Sequence, residues 1–164
     1  MTIVPVAGYH LGQANKKELH GLWHKGMLLM GAIGTLITLI CQLFAQPIVH
    51  FFVGYNADLA ALSVHALRII ALYFLLDGMT VYAGSYFTGL NQGTASLLIA
   101  AVKGIISPLV LVWVLQALFG QDGLWLVTPV AEALAMIAAA ACILWWWRGA
   151  EDRNLGAEAE EAAE

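Results

Sequence analysis

The chain has 164 residues, 61% of them hydrophobic and only 11% charged, with a mean hydropathy of +0.79. A soluble domain carries about a quarter charged residues, so this chain lacks the polar groups to cover a water-facing surface, and lipid is its expected solvent. Six of its eleven acidic residues lie in the last stretch, "EDRNLGAEAEEAAE", so the net charge of −4 belongs mainly to that tail and offers no basic face to a nucleic acid.

Taken in chain order, residues 1–8 are apolar but span only about 10 Å as helix. They read as the end of a transmembrane helix whose beginning lies outside these residues. Residues 9–20 read as a basic cytoplasmic loop. A four-helix transmembrane bundle then fills 21–148, because apolar runs of about 20 residues cross a bilayer. The first span is about 21–45, stopped by Gln46–Pro47, and "GAIG" at Gly31–Gly34 gives it a small helix-packing surface. The second is about 58–88, with Asn56 or Asp58 as its cap. The third is about 95–119 and the fourth about 123–147. "NQGT" and "GQDG" separate the last three spans as tight turns, so neighbours run antiparallel. Residues 149–164 read as a disordered acidic tail. The fold class is all-α, with no sheet.

Lysine and arginine placement orients the spans. Lys16, Lys17 and Lys25 stand at the start of the first, and Arg148 and Arg153 follow the fourth. The loops on the other side, 46–57 and 120–122, have none. Both ends of the set, tail included, are expected on the cytoplasmic side of a cell inner membrane. Trp23, Trp125 and Trp145–Trp147 fall where interfacial aromatic belts belong.

An Asp at the centre of a membrane helix costs roughly 2.5–3.5 kcal/mol on the insertion scale, and Asp77 lies mid-run in "YFLLDGMTVYAG". Tyr73 stands four residues earlier on the same helix face, and Thr80 and Gly84 continue that face. Hydroxyl, carboxylate, hydroxyl and gap together present a small cation or proton site to a bundle interior, against the plainer reading of an Asp that only holds a neighbouring helix. Glu132, three after Pro129, is a second candidate for a substrate or coupling role, or a packing partner for Lys103 or a serine. Lys103, with Thr80 also a candidate substrate or coupling residue, lies early enough in its span for its stem to snorkel, and Arg68 is expected to snorkel at the outer interface. His20 and His24 have metal spacing without an evident third ligand, so no metal is assigned. Cys41 and Cys142 read as buried free thiols. Nothing resembles a nucleophile triad, a phosphate loop or a cofactor motif, so neither enzyme nor cofactor is expected.

The order "GYHLGQAN", a long apolar helix, "PIVHFF", then "ALRIIALYFLLDGMTVYAGSYFTGLNQGT" and "ISPLVLVWVLQALFGQDGLWLVTPVAEAL" resembles the second lobe of the MATE multidrug and toxin extrusion family. The similarity runs from Gly8 to Arg148, and its most specific pieces are "TGLNQGT" and "FGQDGLWLVTPVAE". Family members have twelve helices in two lobes around a central cavity. The resemblance therefore implies a partial carboxy-terminal lobe, the end of helix 8 through helix 12. Its partners would be the missing amino-terminal lobe and helices 7 and 8.

The sodium-coupled branch carries a Tyr-x-x-x-Asp pair on helix 10, matched here by Tyr73 and Asp77. The resemblance thus implies a multi-pass antiporter in a lipid bilayer, with Na⁺ or H⁺ as coupling ion, exporting small organic cations or drugs by alternating access. Lys103 stands where one branch often has Arg, and His10 where Asn is usual. The alternatives are a fragment of a related lipid-linked oligosaccharide flippase, or a stand-alone four-helix membrane scaffold.

Overall fold

The computed structural model describes residues 3–13, 16–54 and 56–161. Among them every regular element is helical: α1 (Ile3–Gly12), α2 (Lys16–Leu43), α3 (Ala45–Val53), α4 (Ala57–Ile70), α5 (Leu72–Gly89), α6 (Gly93–Ala101), a π-helical turn (Val102–Ile106), α7 (Ser107–Phe119) and α8 (Gln121–Glu161). Among the described residues four stretches are long and apolar enough to cross a membrane: Lys17–Leu43, Ala57–Gly89, Gly93–Phe119 and Gln121–Gly149. The protein is an all-α, multi-pass membrane protein whose successive spans run antiparallel.

Several local features differ from the sequence reading. The basic loop expected over 9–20 is helical at both ends, because Gly12 closes α1 and α2 already starts at Lys16. "Lys-Lys-Glu-Leu" consists of good helix formers, which carry the next helix back towards the turn. Pro47 begins a helix rather than stopping one. The chain bends at Phe44, and Pro47 falls in the first turn of α3, where a missing N–H costs no hydrogen bond. The acidic tail, expected to lack structure, continues α8 as far as Glu161, in keeping with the helix propensity of Ala and Glu; residues 162–164 lie outside the described residues.

The second span is two helices meeting at Ala71. Thr38 Oγ1 on α2 donates to the Ala71 carbonyl at 3.1 Å, and Gln42 Nε2 donates to the Arg68 carbonyl at 2.8 Å. Side chains inserted into a helix ladder bend it, and these two draw carbonyls from α4 and its junction towards α2. The third span is interrupted by the π turn. Pro108 has no N–H for the carbonyl of Gly104 and crowds it, and the ladder widens just upstream, where the Ser107 N–H reaches back to Val102 O.

The central element is α5, which packs against α1, α2, α4, α6 and α8. Its approach to α2 is close enough that a Cβ on Gly34 would stand 2.5 Å from the Phe74 carbonyl oxygen. The core lies towards the C-terminal end of α5, where Tyr82, Tyr86, Phe87 and Leu90 meet Leu19, Trp23, Ile99, Ala139 and Ile143. Tyr82 and Tyr86 donate their hydroxyls to the carbonyls of Leu22 (2.7 Å) and Leu19 (3.0 Å). A buried phenol thereby meets its polar requirement without leaving the core.

Trp23, assigned from sequence to an interfacial belt, is part of this core. It is only 7% exposed and stands edge-on to Tyr86 at 5.1 Å between ring centroids. Trp145 is 73% exposed. The rings of His20 and His24 are engaged by Trp147, at 4.4 and 6.0 Å between centroids.

Candidate functional site

The charged residues inside the bundle converge on one point. α5 carries Tyr73, Asp77 and Thr80, successive positions on one helical face. Tyr73 donates its hydroxyl to Asp77 Oδ1 at 2.5 Å. Lys103, presented by the π turn, reaches the same Oδ1 with Nζ at 2.5 Å. From α8, Glu132 supplies Oε1 at 2.7 Å from Lys103 Nζ, and its Oε2 accepts the Thr80 hydroxyl at 2.6 Å. Thr80 Oγ1 also lies 3.0 Å from the Asp77 carbonyl oxygen. One hydroxyl has one proton, and the shorter contact to a carboxylate is the stronger.

The Lys103 ammonium is fully occupied. It has three donors, and three acceptors surround it: Asp77 Oδ1, Glu132 Oε1, and Thr80 Oγ1 at 3.3 Å. The centroid of the Tyr73 ring lies 5.6 Å from Nζ, within reach of a cation–π attraction. Two carboxylates therefore share a single ammonium, and with both ionised the cluster carries a net charge of −1.

Burial is unequal. The Glu132 side chain is only 2% exposed, whereas those of Asp77 and Lys103 are 28% and 25% exposed. Two grooves flank α1. One, of about 460 Å³, is lined by Ile3, Leu22, Met30, Gly78 and Asp77 among others. The other, of about 640 Å³, is lined by Val4, Pro5, Thr88, Ser96, Thr80 and Lys103 among others. The cluster is thus reached from two sides, at Asp77 through the first groove and at Lys103 through the second.

Tyr73, Asp77, Thr80, Lys103 and Glu132, all candidates from the sequence, meet in this cluster. The expectation that Lys103 snorkels to the interface is corrected, since its ammonium turns inward to the two carboxylates. The reason is energetic: an unpaired carboxylate inside the bundle costs more than bending one lysine stem. Arg68 is not part of the cluster and borders a separate groove between α3 and α4 with His50 and His65. The pair between His65 Nε2 and Asp122 Oδ1, 3.0 Å apart and exposed, ties α4 to the start of α8. It was not visible in the sequence, because the two residues lie 57 positions apart with no motif joining them.

An all-helical membrane bundle with a charge cluster open to grooves on two sides has the form of a membrane transporter. A family model, described as MatE, matches residues 1–114, and the chain belongs to that family of membrane efflux transporters. The match runs from α1 into α7 and so takes in Tyr73, Asp77, Thr80 and Lys103, while Glu132 lies beyond it. No curated protein and no solved structure matches the chain.

Proposed function

We propose that the chain forms the carboxy-terminal part of the second lobe of a cation-coupled antiporter, which exports small amphipathic organic cations by alternating access. The single observation behind this reading is the charge balance at Asp77, Lys103 and Glu132. One uncompensated negative charge in a bundle interior is costly, and one monovalent cation, Na⁺ or H⁺, would cancel it. Of the two carboxylates, Asp77 is the one that borders an open groove, so it is the one a cation arriving from water meets first, with the Tyr73 hydroxyl beside it.

Coupling requires that the ion bind one access state better than the other. A cluster drawn from α5, the π turn and α8 is suited to this, because its geometry depends on how three elements are packed. Neutralising the cluster lowers the cost of burying it, so the occupied form favours the more closed arrangement. The bilayer in this reading is the inner membrane, with the α8 tail on the cytoplasmic side.

The test is Asp77→Asn in the full-length protein, assayed for drug efflux in inverted membrane vesicles under an imposed Na⁺ or H⁺ gradient. The expected outcome is loss of gradient-driven efflux, at least about tenfold, with normal membrane insertion. Efflux at the parent rate would remove Asp77 from the mechanism.

A further inference from the structure

The cation position at Asp77 is already filled by the protein's own lysine. We propose that Lys103 is a tethered counter-cation. Its ammonium competes with the transported cation for Asp77 and is released from that carboxylate, while keeping Glu132, when the ion binds. The inference rests on the coupling role proposed for Asp77 and assigns the release step to a residue outside the Tyr73–Asp77 pair.

Three observations carry it. The ammonium holds carboxylates of unequal exposure: Glu132 is almost wholly buried and Asp77 more than a quarter exposed. An entering cation can therefore reach Asp77 and not Glu132, which fixes the end from which the lysine lets go. Lys103 and Tyr73 both converge on Asp77 Oδ1, so a cation coordinated there meets the ammonium at the same oxygen, and two positive charges a few ångströms apart repel.

The structure also provides somewhere for the ammonium to go. Lys103 lines the 640 Å³ groove together with Thr80, on the other side of α1 from the 460 Å³ groove at Asp77, so its ammonium can draw back from Asp77 while staying on Glu132. The backbone that carries it is a π turn, a feature that recurs at functional sites in helices. Gly104, next in that turn, has nothing within 4 Å of where a side chain would begin, so the turn has room to shift.

The consequence is a two-state charge count. Without the ion, Lys103 bridges α5 to α8 and the cluster is −1. With it, the bridge to α5 is replaced by the ion and the cluster is neutral.

The test is radiolabelled Na⁺ binding at pH 8 to the full-length protein in detergent, comparing the parent with Lys103→Met, Lys103→Arg and Lys103→Met/Asp77→Asn. Removing a unit charge beside the site should tighten Na⁺ binding by at least about tenfold in Lys103→Met, and adding Asp77→Asn should abolish it. Lys103→Arg, permanently charged and richer in donors, should bind Na⁺ no better than the parent. Should Lys103→Met fail to fold, Lys103→Arg decides: tighter binding than the parent overturns the proposal, and equal or weaker binding supports it.

A lysine that serves only packing would leave Lys103→Met with equal or weaker affinity. That result, with Asp77-dependent binding in the parent, overturns the tether and leaves the coupling reading standing. Absence of Na⁺ binding in every variant overturns both.

Discussion

At the residue scale, burial divides the members of the cluster. Glu132 is 1% exposed and takes both Lys103 and Thr80. Removing one partner of a buried ion pair costs about 3–5 kcal/mol, because the other charge is left uncompensated. Here Lys103 keeps Asp77, so Glu132→Ala is expected at the lower end, about 3 kcal/mol, in reversible SDS or thermal unfolding. Thr80→Val removes the hydrogen bond to Glu132 and the longer one from Lys103; one hydrogen bond to a charged group is worth about 1.5–3 kcal/mol, so a loss of at least that size is expected by the same measurement. Asp77→Asn should leave stability nearly unchanged, since its side chain borders a groove and Tyr73 can still bond it. A stability loss for Asp77→Asn equal to that of Glu132→Ala would show that the two acids serve one structural purpose.

The sequence makes Asp77 legible through the cost of burying it, and Tyr73 and Thr80 through helical spacing. It leaves Lys103 ambiguous, because a lysine near a span end can snorkel as readily as pair. What decides between the two is the π turn and the distance from α5 to α8, and both are properties of packing.

At the element scale, the four spans can be read from hydropathy alone, since length and apolarity suffice to cross a bilayer. Their interruptions at Ala71 and at the π turn cannot be read so directly. Pro108 marks the π turn in the sequence, but the break at Ala71 is made by Thr38 and Gln42 from another helix. The small-residue surface at Gly31–Gly34 is also legible, and the structure shows its use: Gly31 faces Met79 and Gly34 faces the backbone of Phe74 and Leu75.

This sets up a contrast between two glycine substitutions. Gly34→Ala would place a methyl 2.5 Å from a backbone oxygen that cannot move without displacing α5, and overpacking of this kind costs about 1–3 kcal/mol. Gly104→Ala meets nothing within 4 Å and gains helix propensity, so it should be neutral or stabilising by up to about 1 kcal/mol. Unfolding midpoints of both variants, measured side by side, test the α2–α5 contact. Equal effects would mean that the two helices do not approach as closely as described.

At the scale of the whole molecule, the question is which face of the membrane each groove addresses. Four spans joined in antiparallel order place the turn before α6 on the same side as the start of α2, and the turn between α7 and α8 on the other. Lys17 and Lys25 on one end, against none in the opposite loops, predict that the first side faces the cytoplasm. Thr94 and Gln121 are both exposed and report the two sides. Cys41 and Cys142, both free, are first replaced by alanine, and single cysteines are then placed at 94 or 121 in the full-length protein. In intact cells a membrane-impermeant maleimide should label Gln121→Cys directly and Thr94→Cys only after permeabilisation. The reverse pattern would invert the orientation and with it the side from which a cation reaches Asp77. Labelling of both in intact cells would break the four-span arrangement, because one crossing, α6 through α7, separates the two positions.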